Sequence, residues 1–316
     1  MISQIVLFFT AALISLLITY PVIAGSRFFK TRQYIRAEGP QSHLNKAGTP
    51  IMGGVGFGLA ILIMVLIFVN VEMDFRYAAI LLLMFAFAGI GLFDDLTKTI
   101  KKQNLGLNFW QKIFLQSAFA ALFSFFLVSI GYHQQTGWLN YIYFGEPLLY
   151  MLGSTFIIVG AANATNLTDG LNGLLAGTGG LAFLFFAVIA HRLQMIDAMS
   201  VCLIAAGSVL AFLFYNFPKA QIFMGDTGSL ALGALLAGIA VLLHQELRLI
   251  VIGGVFVLEA LSVIVQVACY KLFKRRLFRM SPLHHHFELL GFKEVPVVLG
   301  FWSLGLIFGV AGVLLW

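Results

Sequence analysis

Apolar residues along the chain fall into ten long blocks separated by short polar stretches. The blocks run over about 2–24, 53–70, 76–93, 110–130, 148–165, 174–191, 198–214, 228–243, 247–270 and 297–316. Each approaches the roughly 20 apolar residues that a helix needs to cross a bilayer. No one-sided period separates them, as expected of helices that face lipid as well as protein. The pattern predicts an all-α, polytopic integral membrane protein of about ten transmembrane helices, forming a single domain over residues 1–316. The first block is too long for a signal-peptide core and has no basic residue before it, so it reads as a retained helix.

Composition sharpens this picture. The chain is 60% hydrophobic and 10% charged, with a mean hydropathy of +0.97. A soluble domain carries about 25% charged residues. A soluble globular protein, a disordered chain and a disulfide scaffold are all excluded. Cys202 and Cys269 lie inside apolar blocks and read as packing residues.

The bases set the orientation. Alternate loops hold Arg27 to Lys46, Lys98 to Lys112, Lys219, and Lys271 to Lys293, while the opposite loops hold only Arg76, Arg192 and Arg248. The positive-inside rule puts the base-rich loops in the cytoplasm. Both termini then lie outside, which suits an even number of spans. Between Tyr132 and Pro147 the aromatics Trp138, Tyr141 and Tyr143 suggest a short hairpin at the outer interface.

The acids carry the chemistry. Each costs about 2.5–3.5 kcal/mol at a membrane-helix centre on insertion scales. Yet Asp94, Asp95, Asp169 and Asp226 all fall at cytoplasmic ends of the apolar blocks, among Gly, Thr, Ser and Asn. Asp94-Asp95 precede Lys98, Lys101 and Lys102. Neighbours on a helix diverge by about 100°, so one carboxylate can face a metal or substrate while the other orients a lysine. Taken as structure alone, the pair is a solvated helix end. Asn163, Asn166, Asp169, Gly170, Leu171 and Asn172 bring amides and glycines into an apolar run. That suits recognition of a base or sugar, or else a simple capped turn. Asn216 and Phe223 lead into Gly225-Asp226-Thr227-Gly228. There a helix N-terminus can attract phosphate and Asp226 can hold a divalent cation, or merely cap the helix.

Two further basic segments lie on the same side: Gly39–Gly54, containing Lys46, and Ser281–Glu288, containing His284, His285 and His286. Three successive histidines make a poor single metal site and better phosphate donors. Glu259 and Gln266 lie seven residues apart in the ninth block. A mid-membrane acid of this kind suits either a proton-coupled transporter or a buried bond between helices.

Together these features suit transfer of a phosphorylated group from a soluble anionic donor to a lipid acceptor. GPQSHLNKAGTPIMGG at 39–54, the Asp94-Asp95 pair with its lysines, Asn163–Gly173, Asn216–Ser229 and SPLHHHFELLG at 281–291 make the match specific. The chain resembles the phospho-N-acetylmuramoyl-pentapeptide-transferase family, within the polyprenyl-phosphate sugar-1-phosphate transferases. It departs from the common pattern with Ile51 in place of Thr and Asn172 in place of Asp. The second change leaves an amide rather than a charge near the nucleotide.

The resemblance implies a bacterial plasma-membrane enzyme whose active site faces the cytoplasm. Undecaprenyl phosphate would attack UDP-N-acetylmuramoyl-pentapeptide, giving the lipid diphosphate and UMP, with Mg²⁺ as cofactor. On this reading Asp226 holds the metal and Asp94 acts as base, supported by Asp95. Asp169 helps position the donor or the metal, and His285 joins the catalytic group. A nucleophilic Asp94 in a two-step route stays open. Substrate contacts would come from Lys46, Lys98, Lys102, Asn163, Asn166, Gly170, Leu171, Asn172, Asn216, Phe223, Gln266, His284 and His286. A homodimer in a lipid surroundings is suggested, and no nucleic-acid partner. The rivals are a related UDP-N-acetylhexosamine transferase and an ion-coupled transporter.

Overall fold

The computed structural model describes residues 3–29, 31, 48–69, 74–101, 103, 106–134 and 145–315. Lys46, Lys102 and most of the expected outer hairpin lie outside the described residues. The helices are α1 (Gln4–Phe28), α2 (Gly54–Phe68), α3 (Phe75–Lys101), α4 (Phe109–Ser129), α5 (Pro147–Thr168) and α6 (Leu174–Arg192). They continue with α7 (Ile196–Asn216), α8 (Gly225–Leu242), α9 (Glu246–Ile252), α10 (Gly254–Phe273), α11 (Leu283–Leu289) and α12 (Glu294–Leu314). A 3₁₀ turn, Tyr132–Gln134, follows α4. Among the described residues nine helices are long and apolar enough to cross a membrane, and α2 is a shorter apolar helix. The protein is therefore an all-helical, polytopic membrane protein.

Helix α8 is the axis of the fold. Every residue from Thr227 to Leu242 is buried, with α3 and α5 its main neighbours. Its small residues Gly228, Ala231, Gly233 and Ala234 let other backbones approach closely, the usual basis of packing where lipid supplies no hydrophobic drive. By contrast α1 and the C-terminal half of α10 expose Ile5, Phe9, Leu13 and Ile264, Leu272, Phe273, as lipid-facing helices do.

Two expected boundaries are corrected. The third block was expected to end near residue 93, but α3 continues two turns further to Lys101. Thr97 Oγ1 donates to the Phe93 carbonyl, Thr99 Oγ1 donates to that of Asp95, and Lys98 pairs with Asp94 one turn back. Lysines in the last turn also suit the helix dipole. Asp94 and Asp95 thus sit inside a helix rather than at its end. The ninth block, expected as one span over 247–270, is broken at Gly253 into α9 and α10. The Phe308 ring packs against Gly254 there so closely that a side chain would begin 2.7 Å from it.

Candidate active site

The site forms where α3, α4, α5 and α8 meet. Gly91 in α3 has no side chain, and a Cβ there would lie 2.1 Å from the Asp226 carbonyl oxygen. This close approach lets Asp95 reach across to α8. Asp95 Oδ1 accepts from the Asp226 backbone N–H at 3.2 Å. Its Oδ2 accepts from the Thr227 N–H at 3.0 Å and the Thr227 hydroxyl at 2.8 Å. Asp95 is thus the cap of α8, supplied from another helix. The N–H groups expected to attract phosphate are already bonded to a carboxylate, which corrects that expectation. Asp226 is not the cap either: it is the second residue of α8 and turns toward α3.

Asp94 is fully buried and faces the same point. Its Oδ1 accepts from the Leu107 N–H at 2.7 Å, and its Oδ2 lies 2.6 Å from Lys98 Nζ and 3.0 Å from Lys112 Nζ. The same two ammonium groups reach Asp226 Oδ2, at 3.1 and 2.6 Å. Asn166 donates to Asp226 Oδ1 at 3.0 Å and to the Ser229 hydroxyl at 2.8 Å. Lys112 is a member of the cluster that the sequence reading missed, counting it only toward topology. Its signal was local. Asn108 and Gln111 form a capping box at the start of α4, which fixes Lys112 in the first helical turn on the same side as Asp94.

Carboxylate oxygens of Asp94, Asp95 and Asp226 lie within 4.8 Å of one another. Such hard oxygen ligands suit a hard divalent cation, and the three acids outnumber the two lysines that share them. The cluster can therefore hold a metal ion. With both Asp95 oxygens bonded to α8, the oxygens shared by Asp94, Asp226 and the lysines are the ones a cation would compete for.

Asp169 does not join this group. It ends α5 as its C-terminal cap. Burial, reinforced by the carboxylates of Asp226 and Asp95, raises it well above the ordinary carboxylate range. The neighbouring loop is tied down from several sides. Glu294 accepts from the Asn172 N–H at 2.8 Å, and Asn172 Nδ2 donates to the Pro218 carbonyl at 2.9 Å. Asn216 accepts from the Gly173 N–H at 2.7 Å and donates to the Ile222 carbonyl at 2.9 Å. Leu171 is buried, and Phe223 is half-buried.

Several expected substrate contacts are committed to the protein itself. Asn163, one turn before Asn166 in α5, donates to Gln116 of α4 at 2.6 Å. Gln266 accepts from the Leu277 and Phe278 N–H groups and donates to the Phe278 carbonyl, which pins the loop after α10. The three histidines go separate ways. His284 faces Glu259 at 3.3 Å, His285 faces Glu288 at 2.9 Å, and His286 accepts from the Arg279 N–H at 3.1 Å. His284 is fully buried in α11 with its edge against Gly170.

Comparison with known proteins gives a consistent result. A model of glycosyl transferase family 4 matches residues 77–244, the stretch that carries Asp94, Lys112, Asp169 and Asp226. A phospho-N-acetylmuramoyl-pentapeptide-transferase of Shouchella clausii is 45% identical over 98% of this chain and 95% of its own. Enzymes of the same name from Geobacillus thermodenitrificans and Bacillus anthracis are 44% and 42% identical. They cover 95% and 96% of this chain, and 94% of their own in both cases.

Proposed function

The chain belongs to glycosyl transferase family 4, among its phospho-N-acetylmuramoyl-pentapeptide-transferases, and from that membership we propose the reaction it performs. Undecaprenyl phosphate attacks the sugar-side phosphorus of UDP-N-acetylmuramoyl-pentapeptide, yielding the lipid-linked sugar diphosphate of peptidoglycan synthesis and UMP. The observation that carries this reading is the convergence of Asp94 and Asp226, from distant parts of the sequence, on the same two lysines. Phosphoryl transfer needs charge neutralisation and in-line placement more than covalent help. A paired set of ammonium groups beside carboxylates supplies both.

Mg²⁺, bound by Asp226 with Asp94 beside it, would neutralise charge on the diphosphate. Lys98 and Lys112, which share these carboxylates, are placed to bind the phosphate oxygens. Asp94 accepts the proton of the lipid phosphate. Asp95 keeps α8 in register with α3. Asp169 orients the donor, and Asn166 holds the Asp226 carboxylate in place. The base-rich side of the membrane, where this cluster lies, is the cytoplasmic side of a bacterial plasma membrane, so both termini are outside.

The test is UMP release by detergent-solubilised protein. Release is expected from UDP-N-acetylmuramoyl-pentapeptide, dependent on undecaprenyl phosphate, and abolished by chelation and restored by Mg²⁺. An equal rate with UDP-N-acetylglucosamine would move the chain to the related transferases. Activity indifferent to chelation would remove the metal from the mechanism.

A further inference from the structure

Glu259 stands apart from the machinery described above. It lies in α10, fully buried in an apolar helix, and its carboxylate faces His284 Nδ1 at 3.3 Å. Among the described residues neither Glu259 oxygen and neither His284 ring nitrogen makes a hydrogen bond, so the two groups meet only as facing partners. A buried carboxylate is costly, and a well-packed apolar residue often serves stability better. Packing alone therefore does not account for the pair.

The far side of His284 shows what the pair reaches. A side chain at Gly170 would begin 2.1 Å from His284 Nε2, so the imidazole edge rests on the Gly170 backbone. Gly170 follows Asp169, whose carboxyl lies within electrostatic reach of Asp226, Asp95 and Lys98. The rest of this corner is held by Glu294, Asn216 and the Trp302 indole N–H, which donates to the Gly173 carbonyl at 3.1 Å. His284 supports the corner at the end nearest the acids. Fully covered as it is, His284 cannot touch a soluble donor, so it acts through the loop. A carboxylate on one ring nitrogen fixes the orientation and tautomer of an imidazole.

We propose that Glu259 is a positioning residue for the transfer reaction: by orienting His284 against Gly170, it sets where Asp169 meets the nucleotide-sugar donor. This rests on the function proposed above. A binding constellation must be held within about 0.5 Å of its productive geometry, so a loop support remote from the donor has a large lever on donor binding.

The experiment uses full-length enzyme, UMP release, and titration of each substrate separately. Glu259→Gln keeps shape and removes charge. It is expected to melt within a few degrees of the wild type, to raise KM for the UDP-linked donor about ten-fold, and to leave KM for undecaprenyl phosphate unchanged. Gly170→Ala, which pushes the same contact from the loop side, is expected to show the same split. Glu259→Gln combined with His284→Gln is expected to cost no more than either change alone, as for residues acting through one contact. A fall in kcat with both KM values unchanged, a loss of the folded state, or additive effects in the double variant would overturn the proposal. Wild-type protein that releases no UMP would instead overturn the proposed function on which it rests.

Discussion

Helices α3 and α8 run antiparallel and carry a charged cluster at each end, and the two ends are built on opposite logic. At the far end Arg76 Nε donates to both oxygens of Asp74, at 2.8 and 3.0 Å. Its guanidinium lies 4.9 Å over the Tyr132 ring, which stacks on His244 with centroids 4.7 Å apart. The Tyr132 hydroxyl donates to the Leu242 carbonyl, closing the C-terminus of α8. The Arg76 partnership holds Asp74 below the ordinary carboxylate range. Burial and the Arg76 charge push His244 down to about 4, so it is neutral in the physiological range. Arg76 and Asp74 pair directly there and are closed over by rings, with the Asp197 and Glu246 carboxylates within electrostatic reach but outside that pair. About 28 Å away at 1.5 Å per residue, the Asp94 end has three acids, two lysines and carboxylate oxygens shared between cations. A matched cluster fastens helices together. A surplus of like charge that the protein leaves only partly neutralised is poised for a ligand.

The largest test of this contrast is Asp226→Asn. It removes the charge shared by Lys98, Lys112 and the proposed cation, and UMP release is expected to fall by about a thousand-fold. Retention of a tenth of the activity would break the distinction between the ends. Lys112→Met comes next, with an expected loss of about a hundred-fold, because one of the two ammonium groups proposed to bind phosphate is gone while Lys98 remains. At the other end Arg76→Ala is expected to leave kcat and both KM values unchanged. It should lower the unfolding free energy by about 1 kcal/mol, discounted for partial exposure, read as an earlier thermal melt. A kinetic defect in that variant would show that the two ends are coupled through α3 and α8.

How much of this was legible from sequence divides along physical lines. Ionised groups in an apolar chain are conspicuous, so Asp94 and Asp226 could be singled out without a structure. Helix ends were less legible. The apolar run stops at Phe93, which marks a change in surroundings and not the end of α3, whose i,i+4 pairs carry it on to Lys101. One glycine among many gave no sign that the span is broken at Gly253, or that the Phe308 ring of α12 packs against the next residue, Gly254. The role of Asp95 was hidden because its partners, the N–H groups of Asp226 and Thr227, are 131 and 132 residues away. Gln266 looked available for a ligand, because sequence does not show that the chain after α10 folds back onto it. Lys112 was hidden by an adequate alternative explanation, membrane topology.

The smallest effect expected is on stability, at Asp169, and its sign follows from proton linkage. Burial first, then the Asp226 and Asp95 charges, raise this carboxyl well above its ordinary value of 3.8. The folded protein therefore keeps the proton at pH values where the unfolded chain has lost it. The stability from this group is fully present below about 3.8 and declines as pH rises through the raised value. Above that value a half-buried, ionised carboxylate close to two other acids opposes folding. Asparagine has no proton to lose, so Asp169→Asn should escape the decline. Its melting temperature is expected to match the wild type near pH 4 and to exceed it increasingly toward pH 8, by about a degree. The variant would be more stable and yet slower, which is the usual cost of holding charge for function rather than for the fold. A difference in melting temperature that stayed constant across that range would place Asp169 with the matched charges at the Arg76 end.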